Sequence, residues 1–153
     1  MTANIAWQWK KFNELKPHEM AAMFALRQAV FIVEQDCPYP DIDGKDPKAD
    51  HLLAWKGGKL VATLRVFESY SEYQGNVSIG RICTDISVRK DGVGRVLVAK
   101  SLEFIEENYP NKEIQIGAQY YLKRFYEGFA FQQISDIYDE DGIDHILMKI
   151  SKE

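Results

Sequence analysis

Cysteine is scarce in this chain, which has two, Cys37 and Cys83, among its 153 residues. A small secreted protein held together by disulfides needs several pairs, and neither cysteine has a second cysteine or a histidine at metal-ligand spacing. Histidine is equally scarce, at three residues, and His18 and His145 belong to no recognisable pattern. The sequence is therefore not that of a disulfide scaffold, and it predicts no metal site.

The sequence also lacks a long hydrophobic run and an excess of positive charge. Its longest apolar stretch, residues 21–33, is interrupted by Arg27 and Gln28, so we expect no membrane-spanning helix. Residues 1–12 alternate between polar and apolar side chains and contain no hydrophobic signal-peptide core. With a net charge of -4, the chain lacks the basic face that nucleic-acid binding requires. We predict a cytoplasmic protein with neither a nucleic acid nor a membrane as partner.

What is present fits a folded protein of ordinary size. Hydrophobic residues make up 46% of the chain and charged residues 27%, as in globular domains. A length of 153 residues fits one domain with a real core. We expect residues 1–153 to form a single domain.

Hydrophobic periodicity predicts the elements in the order β-α-β-β-β-α-β-α-β-β. The predicted strands cover residues 5–12, 51–55, 60–67, 77–84, 113–117, 131–138 and 143–150, and the helices run from Pro17 to before Pro38, from about Val93 to Pro110, and over 122–129. Consecutive hairpin strands with helical crossovers indicate an α/β (α+β) fold. We expect a mixed central sheet of about six to seven strands flanked by helices.

The most informative segment is the glycine loop, residues 89–94 (Arg-Lys-Asp-Gly-Val-Gly). It lies between an apolar, strand-like run over 79–88 and the helix that begins near Val93. Backbone N–H groups at a helix N-terminus can converge on a phosphate, and the helix dipole favours negative charge there. A side chain at Gly92 or Gly94 would hold such a ligand off the backbone. The loop predicts a phosphate site, although a glycine turn before a surface helix has the same pattern.

Three segments carry a resemblance to a known family. An R-x-x-G-x-G turn that opens a helix resembles the pyrophosphate loop of the GNAT acyltransferases. Residues 119–131 resemble the N-x-x-A-x-x-x-Y-x-x-x-G-F segment of that family: Tyr126 and Phe131 match, and Gln119, Leu122 and Ala130 replace the usual asparagine, alanine and glycine. Residues 26–44 with His51-Leu-Leu, and Ile79-Gly-Arg-Ile, are similar to the ElaA-like branch. The resemblance covers nearly the whole chain.

The resemblance implies the GNAT fold and acetyl transfer from acetyl-CoA to a small-molecule or protein amine, directly in a ternary complex and without a metal. It implies that Tyr126 protonates the departing thiolate, although a tyrosine on an apolar helical stripe is also a common core residue. It further implies that coenzyme A contacts the glycine loop, the arm-binding strand and one amide side chain: Arg89, Lys90, Asp91, Gly92, Val93, Gly94, Ile82, Cys83, Thr84 and Gln119. A free N–H of that strand would stabilise the oxyanion.

Two charged residues lie on the apolar stripe of the first helix, Arg27 and Glu34, seven residues apart. Charge on a buried helix face is costly unless it is paired or lines a cleft. Arg27 and Glu34 either pair with each other or nearby backbone, or Glu34 is a catalytic residue of the acceptor cleft that binds a substrate cation or accepts the amine proton through water.

Two other functions remain open at this stage. The chain could be a non-catalytic coenzyme A or acyl-CoA sensor, or an acyltransferase like the acyl-homoserine-lactone synthases, which the segment from Arg27 to Glu34 loosely resembles. The sequence also leaves open whether the chain is a monomer or a homodimer, and it does not identify the acceptor.

Overall fold

A computed structural model of the chain describes residues 4–152. Within this range it has eight strands and three α-helices joined by short 3-10 turns. The strands are β1 (Ile5–Lys11), β2 (Asp50–Lys56), β3 (Lys59–Tyr70), β4 (Asn76–Thr84), β5 (Ile114–Gln119), β6 (Gln132–Gln133), β7 (Tyr138–Glu140) and β8 (Ile143–Ile150). The helices are α1 (Pro17–Arg27), α2 (Val93–Asn108) and α3 (Lys123–Glu127). A π-helical segment, Gln28–Glu34, continues α1.

The predicted order of elements is confirmed except near the end of the chain. The prediction of a single strand over 131–138 is wrong, because this segment contains two separate short strands, β6 and the start of β7. Ile134 and Ile137 between them are 49% and 48% exposed, so these two apolar residues, which helped to suggest one strand, do not face the core. The apolar run over 79–88 is not all strand either. β4 ends at Thr84, because the Asp85 carboxylate accepts a hydrogen bond from the Ser87 N–H and starts a 3-10 turn.

The strands form one mixed sheet in the order β1-β2-β3-β4-β5-β8-β6, with β7 paired to β8. All neighbours are antiparallel except β4 and β5, which are parallel. β4 and β5 pair only near their first residues, at Val77 and Ile114. Their carboxyl-terminal halves therefore diverge and leave a split in the middle of the sheet.

The helices cover the two faces of this sheet. On one face, Val93, Leu97 and Ile105 of α2 pack into a core that includes Ala118 of β5 and Ile146 of β8. The other face carries a smaller cluster under α1, made of Leu15, Met23, Leu26, Val30, Leu53, Leu60 and Cys83. No helix within residues 4–152 combines the length and hydrophobicity that crossing a bilayer requires.

The loop between the π-helical segment and β2 is held to the α1 face by buried charges. Arg27 is 1% exposed, and its guanidinium binds Asp41 (Nε to Oδ2, 2.9 Å) and Asp46 (Nη1 to Oδ1, 2.7 Å). Of the alternatives left open for Arg27, pairing with Glu34 is therefore wrong, while its Nη2 does donate to a backbone group, the Asp41 carbonyl. The partners of Arg27 come from a loop 14 and 19 residues away, and helical spacing contains no information about them.

Two further arginines join this buried network from the sheet. Arg65 of β3 binds Asp43 (Nη2 to Oδ2, 2.7 Å) and Asp46 (Nη1 to Oδ1, 3.0 Å). Arg81 of β4 lies 2.8 Å from Asp41 and 3.3 Å from Asp43. Three arginines thus face three aspartates, and the network fixes the loop to α1, β3 and β4 together.

Candidate active site

A cavity of about 330 Å³ occupies the split between β4 and β5. Its walls come from the ends of these two strands, the π-helical segment, the start of α2, α3 and the β7–β8 turn. Eight of the residues predicted for the site line it: Glu34, Ile82, Cys83, Thr84, Arg89, Gly94, Gln119 and Tyr126. Lys90, Asp91, Gly92 and Val93 are next to this wall in the chain and are not part of it.

The glycine loop leads directly into α2. Gly92 caps the helix with φ at 76°, a left-handed conformation that strains any residue with a side chain. The first N–H groups of an α-helix have no intrahelical partner, so those at the start of α2 are available to an anion. Gly94 faces the cavity, where an added Cβ would lie 3.9 Å from the Thr84 methyl group. A small residue at Gly94 therefore keeps the backbone accessible without being required by the packing.

Arg89 turns its guanidinium back towards β4. Nη2 donates to the Thr84 carbonyl at 2.9 Å and to Glu34 Oε1 at 2.6 Å, and Nη1 contacts the other oxygen of the Glu34 carboxylate. The hydrogen bonds from Arg89 hold the pKa of Glu34 below its usual value, against the opposing effect of burial. Glu34 is therefore an ionised, paired carboxylate on the cavity wall, and the pair joins the π-helical segment to the loop before α2.

The edge of β4 that faces the split is free of strand pairing beyond its start. On its other edge, Cys83 and Thr84 pair with Thr63 and Ala62 of β3. Arg81 has φ at 50°, and the β3–β4 register shifts at this point. This irregularity bends the strand where the cavity begins. Within residues 4–152, β5 pairs with β4 only at Val77. The backbone N–H and C=O groups of residues 82–84 that point to this edge can therefore bind an extended ligand.

Cys83 contributes its backbone to this edge and its side chain to the cluster under α1. The thiol is 4% exposed, and burial raises its pKa to about 12. A thiol with such a pKa is protonated at neutral pH and is a poor nucleophile.

Tyr126 lies on α3 and reaches the cavity from the α2 face of the sheet. The residue is 5% exposed, and its ring packs edge-on against Phe125 and Phe131 at 5.2 and 5.9 Å between centroids. Burial raises the pKa of its phenol above the ordinary value, with a smaller contribution from Tyr121. Tyr126 is thus a neutral O–H donor in an apolar wall, which fits both a core residue and a proton donor.

Gln119, at the end of β5, donates its amide N–H to Gln35 Oε1 at 3.2 Å. This hydrogen bond connects β5 to the end of the π-helical segment across the cavity. Gln35 was not identified from the sequence, because its contact with Gln119 spans 84 residues.

Other wall residues also escaped sequence reasoning. Arg81 lies over the Tyr39 ring at 5.3 Å from its centroid, and both residues line the cavity.

At Gly117, another residue of the cavity wall, an added Cβ would come within 2.9 Å of the Tyr73 hydroxyl and 3.1 Å of the Tyr138 hydroxyl, so the glycine makes room for both. No short motif contains these residues, and only the folded sheet brings them together.

His145 of β8 is a further wall residue to which sequence reasoning assigned no role. It is 7% exposed and pairs in register with Gln119 of β5. Alternation along the strand places it on the face opposite Ile146, which is buried in the α2-side core. A lone histidine in a predicted strand carries no sequence signal that distinguishes a cavity wall from a core.

Comparison with known proteins identifies relatives of the chain. The family model described as the acetyltransferase (GNAT) domain matches residues 14–152. ElaA of Escherichia coli is 42% identical over 146 residues, which cover 94% of this chain and 95% of ElaA. The crystal structure of ElaA matches with a TM-score of 0.88 over 95% of this chain and 98% of that one.

Other solved structures share the architecture. An acyl-CoA N-acyltransferase from Pseudomonas aeruginosa matches with a TM-score of 0.90 at 34% identity, over 95% of this chain and 98% of that one. An aminoglycoside 6'-N-acetyltransferase complexed with coenzyme A matches with a TM-score of 0.68 at 12% identity, over 94% and 96% of the two chains. At that identity the likeness is one of fold alone.

Proposed function

The chain belongs to the GNAT acetyltransferase family, and from that premise we propose that it transfers an acetyl group from acetyl-CoA to an amine. The amine is carried by a small molecule or a protein, and transfer is direct, within a complex of enzyme and both substrates. The observation that carries the proposal is the split between β4 and β5, because one cavity there brings together an unpaired strand edge, the start of α2 and Tyr126.

The donor would lie along the split. The N–H groups at the start of α2 would bind its pyrophosphate, with Lys90 and Arg95 exposed nearby to attract the negative charge. The extended arm would pair with the free edge of residues 82–84, as an added strand pairs with a sheet. Arg89 already donates to the Thr84 carbonyl, so the arm and Arg89 would share or compete for this group.

The reaction needs an oxyanion donor and a proton for the leaving thiolate. A free N–H on the β4 edge would stabilise the oxyanion of the tetrahedral intermediate. Tyr126 would give its proton to the sulfur as the carbon–sulfur bond breaks. Its buried phenol stays protonated at neutral pH, and a thiolate that forms in the same apolar cavity is poorly solvated and accepts the proton readily.

Direct transfer is supported by the state of the cysteine nearest to the proposed thioester. Cys83 is protonated at neutral pH, and its side chain packs under α1 among apolar residues. A covalent acyl-enzyme would require a thiolate there. Both cysteines are unpaired, which fits the cytoplasmic location included in the proposal.

Two measurements on the same preparation test the proposal. Calorimetry should detect coenzyme A binding, and free thiol should be released from acetyl-CoA when amines from a panel of primary alkylamines, polyamines and lysine peptides are added. Release must depend on the amine and exceed hydrolysis. Binding without release across the panel would identify a sensor instead, and absence of binding would contradict both functions.

A further inference from the structure

The hydrogen bonding of His145 fixes which of its nitrogens carries a proton. Nδ1 lies 2.8 Å from the Ile143 carbonyl oxygen. A carbonyl can only accept, so Nδ1 is the donor and the neutral ring has its lone pair on Nε2. The side chain is 9% exposed, and the residue lines the cavity. His145, a residue of the cavity wall, therefore has its basic nitrogen at Nε2, in a single tautomer.

A second acceptor lies beside this nitrogen. Glu140 Oε2 of β7 is 3.4 Å from His145 Nε2. A carboxylate and a neutral imidazole nitrogen are both acceptors and cannot hydrogen-bond to each other. The pair is satisfied by a proton on Nε2, by a water molecule at the exposed Glu140 carboxylate, or by a group with two N–H donors that bridges the two atoms. A primary amine or its ammonium form has the required donors.

The position of His145 complements that of Tyr126. Tyr126 packs into the α2-side core together with Ala118 and Ile146, the immediate neighbours of Gln119 and His145 along β5 and β8. His145 lies on the other face, so the two residues line the cavity from opposite faces of the sheet. A base on one face and an acid on the other suit a reaction in which nitrogen loses a proton and sulfur gains one.

Resting on the proposed function, we infer that His145 is the general base for a primary-amine acceptor, with Glu140 as its charged partner. The amine nitrogen forms a bond to the thioester carbon, and its proton passes to His145 Nε2. The carbon–sulfur bond breaks, its electron pair goes to sulfur, and sulfur takes the Tyr126 proton. Solvent then removes the proton from His145 and returns one to Tyr126.

A pH dependence belongs to this assignment, because an imidazolium cannot accept the amine proton. The ionisable groups in contact with His145 are Glu140 and Tyr138 of β7, and the cavity that it lines holds further ones: Glu34, Cys37, Tyr39, Arg81, Cys83, Arg89, Tyr121, Tyr126 and Asp141. Among these, Glu140 is the carboxylate within 4 Å of Nε2. Since a primary amine also loses its own proton as the pH rises, the part of the rise in kcat/KM that requires the imidazole is measured as the difference between the parent and a variant without it.

The variant His145→Asn tests the assignment, because the Asn amide can keep the hydrogen bond to the Ile143 carbonyl while the basic nitrogen is lost. We expect unchanged thermal stability and coenzyme A affinity. We also expect a fall of about 100-fold or more in kcat/KM for the amine, a pH profile that follows ionisation of the amine alone, and partial rescue by added imidazole. His18→Gln, at an exposed histidine of α1, is the matched control and should keep the parent profile.

Two results would overturn the inference, and they differ in what else they reject. If the parent protein releases thiol with amines and His145→Asn keeps both the rate and the pH profile of the parent, His145 is a structural residue and the transferase assignment stands. If the parent releases no thiol with any amine, the assignment of a base fails together with the proposed function.

Discussion

At the scale of single residues, burial determines which groups can do chemistry in the cavity. Tyr126 and Cys83 are both buried and both have raised pKa values, but the consequence differs. A protonated phenol is ready to donate, whereas a protonated thiol cannot attack. The same low-polarity environment thus favours Tyr126 as an acid and disfavours Cys83 as a nucleophile.

Tyr126→Phe should lower kcat by about 100-fold while leaving coenzyme A affinity and thermal stability close to those of the parent. The phenylalanine ring keeps the edge-on contacts with Phe125 and Phe131 and loses only the proton donor. Steady-state kinetics, calorimetry and a melting curve measure the three quantities. Tyr120→Phe makes the same chemical change outside the cavity wall and should leave all three quantities unchanged. Unchanged turnover of Tyr126→Phe at every pH would identify Tyr126 as a core residue.

At the scale of elements, the junction between β4 and α2 contains one glycine whose conformation excludes a side chain and one whose conformation allows it. Gly92 needs its left-handed φ of 76°, whereas Gly94 lies within the helix and faces the cavity. Stability and binding can therefore be separated at this junction. Gly94 is the position at which binding can be changed without strain, because a Cβ there makes only an ordinary contact with Thr84.

Gly94→Ala should leave thermal stability equal to or above that of the parent, because alanine is the better helix former. It should weaken coenzyme A binding roughly tenfold, the effect of losing about 1.4 kcal/mol of backbone hydrogen bonding to a charged group. Gly58→Ala gives the opposite pattern. With φ at 80° in the β2–β3 turn, it should cost about 1 kcal/mol of stability and leave binding intact. Unweakened binding by Gly94→Ala would place the pyrophosphate elsewhere.

Most elements could be predicted from sequence because each follows from a local pattern. The Gly57-Gly58 turn, Pro17 and the apolar stripe of α2 specify a hairpin and two helices without reference to the rest of the chain. The sequence did not show that β6 and β7 are separate strands, because Ile134 and Ile137 continue the apolar pattern of a buried strand although both are exposed. The divergence of β4 from β5 could not be predicted from the sequence either, since it depends on how the two strands pair and on the left-handed backbone conformation of Arg81.

Some residues of the candidate site could be predicted from the sequence and others could not. The glycine loop and Tyr126 lie in short segments with a recognisable resemblance, and the structure brings Gly94 and Tyr126 to one cavity. Their roles stay predictions until they are tested by substitution. His145 and Gln35 could not be predicted, because each is placed at the cavity by contacts with residues far away in the sequence.

At the scale of the whole molecule, the buried charge network unites parts that are far apart in the chain. Arg27 comes from α1, Arg65 from β3 and Arg81 from β4, and all three bind carboxylates of one loop. That loop follows the π-helical segment, which forms a cavity wall. The network should therefore hold the wall in place as well as stabilise the fold.

The stability of the chain should depend on pH through this network. Burial opposes ionisation of Asp43 and Asp46, but the hydrogen bonds and positive charges of the surrounding arginines together outweigh it and lower both pKa values. Since an unfolded aspartate titrates near pH ~3.9, the unfolded chain takes up protons first as the pH falls. The contribution to stability is complete above about pH 5 and declines progressively below about pH 4.

Asp46→Asn should reduce the free energy of unfolding at pH 7 by on the order of 3 kcal/mol, because it removes a charge shared by two buried arginines. It should also make the loss of stability below pH ~4 shallower, since one of the depressed carboxyls is gone. Urea unfolding at pH 7, 5 and 3 measures both effects. Glu106→Gln, which breaks the exposed pair with Lys152, should change stability by less than about 1 kcal/mol. If Asp46→Asn kept the acid slope of the parent, the acid sensitivity would have to come from carboxylates other than Asp46, and the role assigned to its two arginine partners would be wrong.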